Sequence, residues 1–447
     1  MESQLLEFAC QKDDAEQFAF FRTDGRPIAR IALIGNFLPR RCGIATFTTD
    51  IFRAMNARYP EIVVDVYAVD DDPRVHAYPA EVTGTIDQDY LSSYHATAEA
   101  IEASGADIVW LQHEYGIFGG PAGRHVLSLL DRLSVPVVVT LHTVLEDPDS
   151  DQRYVTEMLA RHAAKLVVMA EYGRDVLIDV YGASPSKIEV VEHGIPDRPF
   201  EDTKRMKRAL GMSGRDVIMT FGLLSPGKGI ETMIDALPAI VQQFPDVTYV
   251  VVGATHPHLV ESEGEAYRES LIARAVEHGV GDHIRWVNAF LDTDDLLDYL
   301  AAADIYATPY LNPAQITSGT LAYAIGLGKA VVSTPYIHAR ELLAHDHGRI
   351  APFGDGEGFA AEIIELLANP VTRQALRVRA YARGRSMIWP RFAEAMMGIF
   401  DTLRTSANPR RDAVRRAATG GHRRQASFAS PRPVEASLGG CGSSNHR

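Results

Sequence analysis

Short apolar runs alternate with longer stretches of helical period along most of the chain. "IALIGNF" (31–37), "IVVDVYAV" (62–69), "DIVWLQHE" (107–114), "VPVVVTLH" (135–142) and "KLVVMA" (165–170) have the length and β-branched content of buried strands. Helical stretches at 44–57, 94–103 and 122–133 separate them. A second series follows with "VIMTFG" (217–222), "VTYVVVG" (247–253), "HIRWVNA" (283–289), "DIYATPY" (304–310) and "KAVVSTP" (329–335). Strands that alternate with helices predict right-handed crossovers and parallel sheets, so the pattern implies an α/β protein in two halves. "SKIEVVEHGIPDRPF" (186–200) breaks the rhythm with Gly and two prolines and is read as the connection between them. The expected organisation is an extension over 1–27, a first α/β domain over 28–197, a second over 198–388, a last helix over 389–404 and a disordered tail over 405–447.

Charge and cysteine usage narrow the classes. A formal net charge of −14 argues against a nucleic-acid binder. The tail departs from this balance, with eight arginines against Asp412 and Glu435. A solvated segment is the plain reading of it, and a peripheral contact with acidic lipid or RNA the sharper one. Cys10, Cys42 and Cys441 form no CxxC pair, so neither a zinc site nor a disulfide framework is expected, and a reducing compartment fits. The start "MESQLLEFACQKDDAEQF" lacks a basic, then apolar, signal pattern, and no apolar run approaches the roughly 20 residues of a spanning helix. The chain is therefore expected to be cytoplasmic, without a transmembrane segment.

Ligands of doubly wound sheets bind beyond the carboxyl ends of the strands, which makes the cleft between the halves the expected site. Three turns there carry candidate chemistry. In "GLLSPGKGIE", Gly222, Gly227 and Gly229 let backbone N–H groups approach a ligand, the following helix presents its positive end, and Lys228 adds a full charge. An anion, most simply a phosphate, suits that arrangement, although a plain turn with a surface lysine fits equally well, and the Walker pattern is absent. In "NPAQITSGTLAYAIGLGKAVVSTP", Ser318, Gly319 and Thr320 form a small-residue turn before a helix, either a second anion site or a simple cap by Ser318 or Thr317. In "GNFLPRRCGIATF", Gly43 stands where a ligand or the other domain can reach the backbone. His113, His142 and His193 mark strand ends or the connection. A histidine there suits hydrogen-bonding or proton work near neutral pH, though a lone one is more often structural.

In order and spacing, "RRCGIATF", "TLHT", "VVEHGIPD", "GLLSPGKGIE", "FLDTDDLLDYLAAADIYATPY", "GLGKAVVSTP" and "MIWPRFAEAMMGIF" resemble the retaining GT-B glycosyltransferases of family 4, the group 1 transferases. The likeness runs from about Arg30 to Leu403. It implies two Rossmann-like domains facing a central cleft, and a last helix that crosses back to the first domain. It also implies transfer of a sugar, with retention, from a UDP-, GDP- or ADP-sugar to a carbohydrate or other hydroxyl acceptor, with no required cofactor and no metal. By resemblance Lys228 contacts the donor diphosphate, and Ser318, Gly319 and Thr320 meet its distal phosphate. His142 sits near the transferred sugar, and Gly43, with His113 and Glu114, lines the acceptor side. Two departures from the family pattern involve three positions. Leu223 stands where the family commonly has Arg, and Gln315 and Tyr323 stand where it has a Glu pair. Gln315 can still bond a sugar hydroxyl, and Tyr323 can stack or donate one hydrogen bond. A sugar-nucleotide epimerase using Glu114, a glycoside phosphorylase and a non-catalytic sugar-nucleotide binder share the architecture and stay open.

Overall fold

The computed structural model describes residues 27–72 and 76–404. The expected tail, and the extension apart from Pro27, lie outside the described residues. Two parallel sheets carry the fold. The first contains β1 (Arg30–Gly35), β2 (Val63–Asp70), β3 (Val82–Asp87), β4 (Ile108–His113), β5 (Val137–Leu141), β6 (Lys165–Val168) and β7 (Ile188–Val190), in the order β3-β2-β1-β4-β5-β6-β7. The second contains β8 (Asp216–Phe221), β9 (Val247–Val252), β10 (Ile284–Val287), β11 (Ile305–Thr308), β12 (Ala330–Ser333) and β13 (Arg349–Ile350), in the order β10-β9-β8-β11-β12-β13. Apolar residues coat both faces of each sheet, which is why the central strands read as continuous runs rather than alternating ones.

Four helices shape the cleft and are labelled α1 (Gly43–Arg58), α2 (Ile230–Gln243), α3 (Gly319–Gly326) and α4 (Trp389–Arg404). The stripe Ile230, Met233, Ile234, Leu237 and Ile240 of α2 is fully buried against β9 residues such as Tyr249 and Val251. The α4 residues Phe392, Met396 and Phe400 join Phe47, Ile51 and Trp110 in the core of the first domain, so the last helix completes the domain that the chain began. The two crossings lie side by side. Ile195 N–H donates to Met387 O at 2.9 Å, Trp389 N–H donates to Ile195 O at 2.9 Å, and the Trp389 ring lies against Gly194.

The connection expected over 186–200 is shorter than its sequence suggests. Its opening residues 188–190 form β7, the last strand of the first sheet. Strands β3 and β13 are further additions to the pattern. β3 is an edge strand whose residues are mostly half-exposed, and β13 is two residues long, so neither makes an apolar run. Among the described residues no helix is long and apolar enough to cross a membrane.

Candidate active site

In each sheet the strand order reverses beside one strand. β1 lies between β2 and β4, and β8 lies between β9 and β11. A crevice opens at such a switch point, between the loops that leave the two neighbouring strands. In the second domain those loops are 222–229, after β8, and 309–318, after β11, which are the two glycine- and serine-bearing turns of the sequence.

The first loop turns through Pro226–Lys228 as a single tight helical turn and ends at Gly229, whose φ of +62° belongs to the left-handed region. A Cβ at Gly229 would also run into the carbonyl of Pro309, so glycine is required twice over. The turn leaves Lys228 half-buried, its Nζ 4.0 Å from the centre of the Tyr310 ring. Tyr310 is fully buried, stacks on Tyr336, and shares a 2.7 Å hydrogen bond between its hydroxyl and that of Thr320. Thr320 in turn lies 3.2 Å from Ser318 Oγ. One aromatic side chain therefore ties the lysine to the start of α3.

That start is well ordered. Ser318 is the N-cap of α3, its Oγ accepting from Leu321 N–H at 3.3 Å. Its own N–H donates to His338 Nδ1 at 2.9 Å. Gly319 and Thr320 belong to the first turn of the helix rather than to a loop before it, so their backbone N–H groups have no earlier turn to bond. Gln315 is half-buried and donates from Nε2 to Thr317 O at 3.0 Å.

Across the cleft the first domain brings histidines from two strand ends and the connection. His142 pairs through Nε2 with Gln112 Oε1 at 3.1 Å and meets the edge of Phe47. Burial first, then the neighbouring His193 and His113, pushes its imidazole down to about 3, so it works as a neutral hydrogen-bonding group. His193 donates from Nδ1 to Gly194 O, 2.7 Å away, packs on Phe47, and reaches the second domain, where a Cβ at Gly319 would stand 2.7 Å from its Nε2. His113 is fully buried between Phe118 and Tyr115, with neither ring nitrogen bonded, and burial lowers it to about 3. Glu114 is half-buried. Its carboxylate accepts from Thr143 Oγ1 at 2.6 Å and from Tyr115 N–H at 3.0 Å, and burial raises its pKa despite both bonds. Gly43 begins α1 in an exposed position where a side chain would meet nothing within 4 Å.

Two family models match the chain. "Glycosyltransferase Family 4" covers residues 42–198, and "Glycosyl transferases group 1" covers residues 215–369. The first spans β2 to β7 and the second β8 to β13, with residues 199–214 between them. The chain is a glycosyltransferase of the GT-B, family 4 type. Relatives include the D-inositol 3-phosphate glycosyltransferase of Jonesia denitrificans, 26% identical over 407 residues, which are 82% of this chain and 92% of the relative. The phosphatidyl-myo-inositol mannosyltransferase of Mycolicibacterium smegmatis is 28% identical over 192 residues, 42% of this chain and 46% of the relative. The same fold is seen in Anabaena HepE in complex with UDP and glucose, at TM-score 0.67 and 17% identity, covering 83% of this chain and 99% of that one. The sucrose-phosphate synthase of Thermosynechococcus elongatus matches at TM-score 0.66 and 17% identity, over 84% of this chain and 99% of that one.

The glycosyltransferase thus gathers Gly222, Lys228, Ser318, Gly319 and Thr320 at one switch point, with His193 and His142 opposite. It does not present His113 or Glu114 as free groups, because the first is enclosed and the second is already bonded. Tyr323 also faces away from solvent, with its hydroxyl donating to Asp50 Oδ2 at 3.0 Å. Sequence reasoning passed over Tyr310, His338 and Asp50. Asp50 did leave a signal. It is a charged residue one turn after Phe47, on the face of α1 that also carries Ile51. At and beyond the end of β2 the enzyme also clusters Asp70, Asp71 and His76, with His76 Nδ1 2.9 Å from Asp70 and Arg40 Nη2 3.1 Å from Asp71.

Proposed function

We propose that this glycosyltransferase moves a sugar from a nucleoside-diphosphate sugar to a hydroxyl of a carbohydrate or cyclitol-phosphate acceptor, with retained configuration. The observation that carries the reading is the bridge from Lys228 through Tyr310 to Thr320 and Ser318. It places one cation and the free N–H groups of a helix start around a single crevice, which is the chemistry a diphosphate requires. UDP bound to HepE and the inositol phosphate named for the Jonesia relative support the donor and acceptor classes.

In the reaction the bond between the anomeric carbon and the diphosphate oxygen breaks, and the acceptor oxygen bonds that carbon on the same face. The acceptor proton passes to the departing diphosphate. Lys228 and the α3 amides stabilise the charge that grows on the leaving group. His142, being neutral, orients a sugar hydroxyl rather than donating charge. Gly43 leaves room for the acceptor in front of α1.

The deciding experiment incubates the protein with UDP-, GDP- and ADP-sugars and mixed acceptors, inositol phosphates among them, and follows nucleotide release and product mass. Acceptor-dependent release of a nucleoside diphosphate is expected. A new sugar nucleotide of unchanged mass identifies an epimerase instead, and binding without turnover a non-catalytic protein. Lys228→Ala is expected to lower kcat roughly 10²–10³-fold, the loss typical when a group that stabilises developing charge is removed. Unchanged kinetics in that variant take Lys228 out of the site.

A further inference from the structure

Asp50 and Tyr323 are 273 positions apart and belong to different domains, yet they share one buried hydrogen bond. Asp50 is 8% exposed and Tyr323 6% exposed. Asp50 lies on α1, one turn beyond Phe47, which touches both His142 and His193. Tyr323 lies on α3, one turn beyond the amides of Gly319 and Thr320, and its ring is 6.1 Å from that of His193. Among the described residues Arg53, on the same helix, lies 4.0 Å from the carboxylate and is mostly exposed. Burial pushes the Asp50 carboxyl up to about 6, against the opposing pull of the Tyr323 hydroxyl and Arg53. A second contact closes the same cleft. Glu341 of the second domain accepts from the backbone N–H groups of Glu171 and Tyr172, at 3.1 Å and 2.8 Å, at the start of the first-domain helix Glu171–Asp179.

We propose that Asp50 and Tyr323 are an interdomain positioning pair that fixes the donor-side helix α3 against the first domain, and that position 323 is a tyrosine because the Asp50 carboxylate stands opposite it. A glutamate at 323 would set two carboxylates against each other in a site closed to water, where both cannot remain ionised without large cost. A tyrosine supplies the single donor that a buried carboxylate needs. A tyrosine in place of the glutamate of the resemblance is then accounted for by its contact with Asp50. Glu341 is the second point of attachment, so α3 is held on one side by α1 and the two domains are joined on the other. The inference rests on the reading of α3 as part of the donor site for its catalytic consequence, but the pairing itself is a property of the closed molecule.

The test uses the full chain. Tyr323→Phe and Asp50→Ala are each expected to lower kcat about tenfold, the effect of one buried hydrogen bond with its partner left unsatisfied, and the double variant to lose little more than either alone. The donor KM is expected to stay within about twofold, because neither group touches the donor in this arrangement. Tyr323→Glu is expected to lose more, and Asp50→Asn added to it to restore at least about tenfold by removing the repulsion. Additive losses in the first pair, or no restoration in the second, overturn the proposal. Solution X-ray scattering gives a readout apart from turnover, with a larger radius of gyration expected for Tyr323→Glu than for the native chain or for Tyr323→Glu with Asp50→Asn. An unchanged profile overturns the pairing even if UDP or GDP binds. Calorimetric titration of the native chain with UDP, GDP and ADP separates the two ideas, since failure of all three to bind sinks the donor-site reading while leaving the scattering comparison decisive for the pair. Should Tyr323→Glu fail to fold, the Tyr323→Phe and Asp50→Ala cycle decides alone.

Discussion

Tyr310 holds together the second domain's half of the cleft. Its ring supports the Lys228 ammonium, and its hydroxyl anchors Thr320 at the start of α3. The two roles are separable by substitution. Tyr310→Phe keeps the ring and deletes the anchor, so kcat is expected to fall by about tenfold or less, with Lys228 still required, as measured by steady-state kinetics of the single and the Lys228→Ala double variant. Tyr310→Leu removes the cation's partner as well and is expected to cost more. Under the proposed donor reading Leu223, standing where the resemblance has an arginine, makes this support weightier, because Lys228 is then the cation that this turn offers a diphosphate. None of this was visible in the sequence. Tyr310 reads there as the apolar end of a strand run, and only the return of the chain after β11 brings it beneath a lysine more than 80 positions earlier.

At the scale of elements, α4 shows how far sequence periodicity reaches. Its apolar spacing marks it as a helix, but which domain receives that face is a question of topology. The structure answers it with Phe392, Ala393, Met396 and Phe400, all buried against Trp110, Phe47 and Ile51, and with an Arg58 to Glu394 ion pair at 3.1 Å. Phe400→Ala is expected to destabilise the first domain by about 3–5 kcal/mol, read from urea unfolding followed by the emission of Trp110 in a chain carrying Trp286→Phe and Trp389→Phe. Strands with both faces covered were legible because burial on two sides leaves a continuous apolar run, as in β1, β8 and β9. β3, β7 and β13 were not, because a short or edge strand needs little apolar surface. The glycine turn before α2 was legible as a turn for a local reason, since the left-handed backbone taken at Gly229 is one that glycine tolerates best. The Asp50 to Tyr323 bond was not, since it joins elements that only the closed fold brings together.

The whole molecule carries an acid sensitivity that can be worked out from its buried groups. His113 and His338 are both lowered to about 3 by burial, so each is neutral in the folded protein while the unfolded chain takes up a proton near 6.5. Their contribution is intact above 6.5 and is lost as pH falls through the window from 6.5 toward 3. Between pH 7 and pH 5 each costs about 2 kcal/mol. Asp50 acts in the opposite sense, because its folded value of about 6 lies above the unfolded one of 3.8. Its burial is penalised at neutral pH and relieved as pH falls, returning about 1 kcal/mol over the same interval. The histidines win, so the urea midpoint is expected to drop from pH 7 to pH 5, and His113→Leu to flatten that drop. Asp50→Asn is expected to raise the midpoint at pH 8 but not at pH 4. The α4 helix has a consequence on a different clock. The ribosome emits β1 through β7 long before residues 389–404, so the amino-terminal half waits, its Trp110 face unsheathed, until the second half has been made and the final helix arrives. Translation therefore finishes first the domain it starts last, and a chaperone that shields an incomplete amino-terminal domain is best placed to act in that interval.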